Sequence, residues 1–154
     1  MSFDVVKNYF ESVGLLNRVK HFDVSSATVD LAAKAIGCEP CKIAKSLTFM
    51  AKESPIMVVT AGDAKIDNSK YKSTFGLKAK MLTAEAVISL VGHAVGGVCP
   101  FVVKENVKVY LDVSLKRFER VYPACGSGNS AVELTIEELE KHSNYVEWVD
   151  VAKY

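Results

Sequence analysis

The chain has 154 residues, 49% of them apolar and 24% charged, with 19 Lys and Arg against 18 Asp and Glu and three histidines. That length predicts one domain with a single substantial core, and the composition excludes disordered, collagen-like and low-complexity classes. The net charge of +1 argues against a general nucleic-acid binder, yet residues 1–80 carry 12 basic and 8 acidic groups while residues 81–154 carry 7 and 10.

Phe3, Val6, Phe10 and Val13 recur on one helical face, which predicts a helix over 3–13 with Ser2 as N-cap and Gly14 as stop. A short strand is expected over 19–23. Ser25, Ser26 and Thr28 offer caps to a second helix whose Leu31, Ala32, Ala35 and Ile36 face inward before Gly37 ends it. Ile43–Met50 and Ile56–Ala61 are β-rich runs joined by Lys52-Glu53-Ser54-Pro55, a hairpin turn. Residues 67–75 read as a helix closed by Gly76, 79–82 as a strand, and Thr83 as the cap of a helix through Val91 stopped by Gly92. The segment Gly96-Gly97-Val98-Cys99-Pro100 is too rich in Gly and Pro for regular structure. Strands are expected at 107–113, 121–125 and 131–135, then a short helix opened by the Thr135/Glu138 capping box, then a strand over 145–151. With no linker and no internal repeat, the fold class is α/β (α+β): a single domain over residues 1–154 with a mixed sheet of about seven strands and helices between them.

No apolar run approaches the roughly 18 to 20 residues of a membrane span, and Met1-Ser2-Phe3-Asp4 does not open a secretory signal. The expectation is a soluble, cytoplasmic protein with no membrane partner, whose Cys38, Cys41, Cys99 and Cys125 are reduced. Cys38-Glu39-Pro40-Cys41 has the spacing of a redox pair or half a zinc site. It follows the C-terminal end of a helix, though, where the dipole does not stabilise a thiolate, and further ligands at a recognised zinc spacing are lacking. Two structural cysteines, no metal and no cofactor are the expectation. Gly126-Ser127-Gly128-Asn129-Ser130-Ala131 matches the dinucleotide fingerprint in letters only. A strand follows it rather than a helix, so it reads as a hairpin-like turn.

Two features carry chemistry. Lys45 lies within the apolar strand Ile43-Ala44-Lys45-Ser46-Leu47-Thr48-Phe49, where its ammonium must reach water, pair, or contact an anionic ligand. The Gly96 to Pro100 loop frees backbone N–H groups to converge on an oxygen, the requirement of an oxyanion hole. Its Cys99, six residues after His93, could be either a thiol nucleophile or a pocket wall. The lysines at 65, 70, 72, 78 and 80 form the densest basic stretch, either a solvated face or one that meets phosphates.

The lysine strand and this loop, in this order, resemble the YbaK/EbsC family of free-standing editing domains, related to the editing insert of bacterial prolyl-tRNA synthetase. The resemblance runs through Ser26–Ala33, Ile43–Phe49, Ala61–Asp67, Gly92–Pro100, Tyr110–Asp112 and Cys125–Gly128, nearly the whole chain. It implies a curved mixed sheet and metal-independent hydrolysis, in trans, of the ester of a mischarged tRNA. The suggested substrate is a small amino acid on tRNA(Pro), and prolyl-tRNA synthetase is a possible partner. Carried onto these positions, it implies chemistry at Lys45, Gly96, Gly97 and Val98, substrate contacts at Phe22, His93, Cys99, Pro100, Asp112 and Gly126, and tRNA contacts at Lys65, Lys70, Lys72, Lys78 and Lys80. Cys99 stands where the family has Ser or Thr, and Ala131 where its cysteine-removing subgroup has an acidic residue. The alternative is a non-catalytic tRNA- or RNA-binding regulatory module of the same fold.

Overall fold

The hairpin expected at the centre of the chain is the spine of the molecule. A computed structural model describes residues 2–154, and in it β2 (Ile43–Met50) and β3 (Pro55–Ala61) pair antiparallel from Ala44↔Ala61 to Met50↔Pro55. Every residue of β3 is buried, as suits a strand covered on both faces. Strand β5 (Lys108–Asp112) runs parallel to β3, and β9 (Glu147–Val149) parallel to β5. On the other side β6 (Arg120–Pro123) runs parallel to β2, and β8 (Leu134–Thr135) antiparallel to β6. The result is a mixed six-stranded sheet in the order β8-β6-β2-β3-β5-β9. Two short ribbons complete it: β1 (Val19–His21) with β7 (Ser130–Val132), and β4 (Lys65–Ile66) with β10 (Ala152–Lys153).

One face of the sheet packs Met57, Val59, Val109 and Leu111 against Val6 and Phe10 of α1 (Ser2–Ser12) and against Phe101 and Leu139. The other packs Phe49, Ile56 and Val58 against Tyr71 of α3 (Asn68–Phe75), with Phe49 and Tyr71 ring centroids 5.0 Å apart. Helix α2 (Val29–Ile36) is capped by Thr28, whose hydroxyl accepts from Leu31 N–H, and ends at Gly37 in the left-handed region. The capping box of α5 (Ile136–His142) forms as expected, with Thr135 and Glu138 bonding reciprocally. The 126–131 segment is a turn between strands, with Ala124 bridged antiparallel to Ala131.

Several expectations are corrected. Ser2 lies inside α1, and its hydroxyl donates to the Gly126 carbonyl instead of capping the helix. Leu31 and Val13 are exposed, because the inward stripe of α2 runs through Ala32 and Ala33 and that of α1 stops at Phe10. Residues 79–82 form an extended segment rather than a full strand. It touches β2 through one bridge, Phe49↔Met81, and two hydrogen bonds, Met50 N–H to Lys80 C=O and Leu82 N–H to Thr48 C=O. The helix expected from Thr83 begins as α4 (Ala84–Ala86) and widens into a π-turn over Val87–Val91 before Gly92. The 131–135 run breaks at Glu133, whose N–H turns to the Arg18 carbonyl, so β7 and β8 join different sheets.

Candidate functional site

Strand β2 pairs with β6 only at Ile43 and Ala44, and the 80–82 segment covers the same edge only from Thr48 onward. Between them the sheet is open. A cavity of about 400 Å³ fills this gap, within the size range of small-ligand pockets. Its floor is Lys45 to Thr48 of β2, and its sides are the Ser26–Val29 approach to α2, Leu82 and Val87, and Val95, Gly96 and Val98 of the glycine loop. Ala124, Ser130 and Ala131 close the far end. Val95 and Met81 sit at the rim, 66% and 61% exposed, so the cavity communicates with solvent between two apolar side chains.

Among the described lining residues, Lys45 is the one charged side chain. Its ammonium lies 3.5 Å from the Gly62 carbonyl, a long contact. Asp63 is near, but its carboxylate is clamped by Arg117, with a 3.0 Å contact and a second, shorter one, and the guanidinium holds Asp63 below the usual carboxylate range. Partial burial, opposed by Asp63 and reinforced by Lys65, lowers the Lys45 pKa from 10.5. A cation half-removed from water with its nearby carboxylate engaged elsewhere is poised for an external anion or developing oxyanion.

The loop meets the cavity with Gly96 and Val98. Gly96 is in the left-handed region at φ 96°, and a Cβ on Gly97 would stand 2.5 Å from the Ser127 nitrogen, so backbone packs on backbone here. Gly97 N–H is committed to Ala94 C=O at 3.0 Å and its carbonyl accepts from Gly126 N–H at 3.1 Å. Gly97 thus pins the loop to the neighbouring turn, while Gly96 and Val98 remain its contributions to the wall.

None of the other expected substrate contacts lines the cavity. Cys99 is fully buried with its thiol 3.6 Å from His93 Nε2. That nitrogen donates to the Phe101 carbonyl at 2.8 Å, and because a carbonyl only accepts, Nε2 already holds the ring proton and cannot act as base toward the thiol. Burial pushes the Cys99 thiol strongly upward and lowers His93 from 6.5, so a thiolate–imidazolium pair is disfavoured on both sides. Cys99 and His93 are packing residues supporting the loop. Pro100 and Gly126 are buried, and Phe22 donates its N–H to the Asn129 carbonyl at 2.8 Å while its own carbonyl accepts from the Asn129 side-chain amide at 3.3 Å. Asp112 is wholly buried and away from the cavity, its two oxygens accepting from Ser114 and Val151 N–H at 2.9 Å each, so its role is to fix chain turns.

Cys38 and Cys41 follow α2 as expected, and burial, the leading cause at both, raises their thiols above 9.0 rather than activating them. The lysines at 65, 70, 72, 78 and 80 are all exposed. Lys72 and Lys78 share a shallow depression with Asn68 and Ser69, whereas Lys70 is engaged by Asp150 and the Ala152 carbonyl at 3.1 Å each. Most of the wall was not expected from the sequence; Ser46, Leu82 and Ser130 are examples, brought together only by the gap in the sheet.

The aminoacyl-tRNA editing domain model matches residues 23–142, and the chain belongs to that family. It is 51% identical over 154 residues to the uncharacterised protein YwhH of Bacillus subtilis (strain 168), covering 99% of this chain and 98% of that one. It is also 32% identical over 90 residues to the proline–tRNA ligase of Aquifex aeolicus (strain VF5), covering 57% of this chain but 16% of the ligase. A solved structure provisionally described as a trans-editing enzyme for prolyl tRNA synthetase superposes with a TM-score of 0.88 at 27% identity, over 99% of this chain and 98% of the other. Among the described residues no helix is long and apolar enough to cross a membrane.

Proposed function

We propose that the protein is a trans-editing aminoacyl-tRNA deacylase that hydrolyses the ester of a small amino acid mischarged on tRNA(Pro). The observation that carries this is the Lys45 ammonium, partly dehydrated and free of an ion pair within the described residues, set in a cavity of editing-domain architecture. An ester carbonyl placed beside it would develop negative charge during attack by water, and a fixed cation with loop amides in a partly dry site stabilises that charge. One preorganised donor of this kind is typically worth about 3 to 4 kcal/mol.

The wall offers hydroxyls and apolar groups but no carboxylate, imidazole or thiol among its described residues. A general base from the protein is therefore absent from the scheme: water is positioned by the site, and the substrate's own ribose hydroxyl takes part in proton transfer. An aminoacyl ester is already activated, so positioning suffices. The apolar sides of the cavity admit small side chains and exclude large ones by size.

The test is hydrolysis by the purified protein of tRNA(Pro) charged in turn with alanine, serine, cysteine, 2-aminobutyrate or proline. Rapid loss of one small non-cognate species with proline spared supports the reading. Binding of tRNA without hydrolysis of any species would favour the regulatory module instead.

A further inference from the structure

We propose that the unpaired edge of β2 at Ser46 binds the aminoacyl group as a one-residue strand, its C=O accepting from the substrate's α-amino group and its N–H donating to the ester carbonyl. This rests on the ester-hydrolase reading and names how that site recognises an amino acid at all.

Strand alternation fixes where the Ser46 backbone points. In an antiparallel pair, a residue's N–H and C=O point to the same side, and successive residues alternate between the partner strand and the opposite edge. The contacts of Thr48 C=O with Leu82 N–H, at 3.1 Å, and of Met50 N–H with Lys80 C=O, at 2.9 Å, show that even-numbered residues of β2 bond away from β3. Ser46 has the same parity. Its N–H and C=O therefore point into the gap left between β6, which pairs at Ile43 and Ala44, and the 80–82 segment. Ser46 is also a wall residue of the cavity, and its Oγ is buried without a hydrogen-bond partner among the described residues.

Edge N–H and C=O groups at the boundary of an apolar cavity call for a partner. An aminoacyl ester carries one donor and one acceptor on a single α-carbon. That is what a strand residue presents in the narrow pair of an antiparallel ladder, where two residues exchange both hydrogen bonds. Seated this way, the ester carbonyl is polarised by a fixed backbone donor on the strand that carries Lys45, and attack by water would strengthen that bond. The amino acid's backbone is read by β2, which leaves its side chain to be sorted by the cavity walls.

The decisive comparison is between whichever aminoacyl-tRNA(Pro) the protein hydrolyses fastest and its desamino counterpart, for example alanyl against propionyl, each rate divided by spontaneous hydrolysis in the same buffer. Removing the amino group is expected to lower this acceleration about 10- to 100-fold, the scale of a hydrogen bond involving a charged group. Equal acceleration of the two esters would overturn the proposal while leaving the deacylase reading intact. A second measurement is independent of turnover: the backbone amide resonances during titration with 3′-amino-3′-deoxyadenosine carrying amide-linked alanine. The Ser46 amide is expected among the largest shifts. Binding that moves only the Gly96 and Val98 amides would overturn the proposal, and failure of every ester to hydrolyse together with no binding of this probe would overturn both readings.

Discussion

At Lys45, a lysine with its pKa lowered by burial charges less readily in the folded protein than in the unfolded chain. Stability should therefore rise with pH between that lowered value and the ordinary 10.5, where the unfolded chain alone still holds the proton. Replacing Lys45 by Met removes the penalty at neutral pH while keeping the stem's packing, so Lys45→Met is expected to raise Tm by a few degrees and to reduce ester hydrolysis at least 100-fold. Calorimetry beside single-turnover assays checks both. A variant that is inactive and also less stable would mean that the ammonium is held by protein partners. Asp112 should behave in the opposite way. Truncating a fully buried carboxylate that satisfies two backbone donors leaves both unpaired, and Asp112→Ala is expected to cost about 2 to 4 kcal/mol in chemical denaturation without altering which amino acid is removed.

Among the elements, the glycine loop and the 125–128 turn lock together through Gly97 and Gly126, and a Cβ at Gly97 would meet the Gly126 carbonyl carbon at 2.6 Å and the Ser127 nitrogen at 2.5 Å. Gly97→Ala must separate them, with an expected cost of about 1 to 3 kcal/mol and a kcat loss, since Gly96 and Val98 are displaced with it. A Gly97→Ala protein of native stability and rate would show that the loop tolerates a shift the packing does not suggest. Local rules made much of this architecture legible: the β2–β3 hairpin, the Thr28 and Thr135 caps, the glycine stops after α2 and α3, and the turn after β6 follow from patterning and capping chemistry. What stayed hidden was set by distant partners. Residues 79–82 have a strand's composition, but they lie against the end of β2 and meet it only over Thr48 to Met50, and the open gap that makes the cavity depends on where β6 stops. Lys45 stood out because a cation in an apolar strand breaks the pattern, whereas Ser46 beside it carries an ordinary side chain and a consequential backbone. Cys99, six residues after His93, reads from sequence as either a nucleophile or a pocket wall, yet the Phe101 carbonyl, eight residues from His93, fixes the tautomer in which Nε2 cannot take the thiol proton.

For the whole molecule, charge is the long-range signal. Lys72 and Lys78 are exposed and adjacent in a shallow depression, and the chain runs from Lys78 and Lys80 directly into Met81 and Leu82 of the cavity wall. If this face carries the tRNA backbone, replacing Lys72 and Lys78 by Ala weakens tRNA binding and reduces the slope of log affinity against log salt by roughly 1 for each phosphate no longer neutralised. Lys70→Ala should change that slope less, because its ammonium is held by Asp150 and Ala152. Affinity measured across a salt series separates the two. Hydrolysis of the aminoacyl ester in the Lys45 cavity, with neither a protein nucleophile nor a metal, is checked by single-turnover deacylation of the preferred mischarged tRNA(Pro) with wild type, Lys45→Ala and Cys99→Ser in the presence of a chelator. Full activity is expected in wild type, loss of at least 100-fold in Lys45→Ala and retention within a few-fold in Cys99→Ser. Activity that survives Lys45→Ala, or disappears with Cys99→Ser in a protein that remains folded, would contradict it.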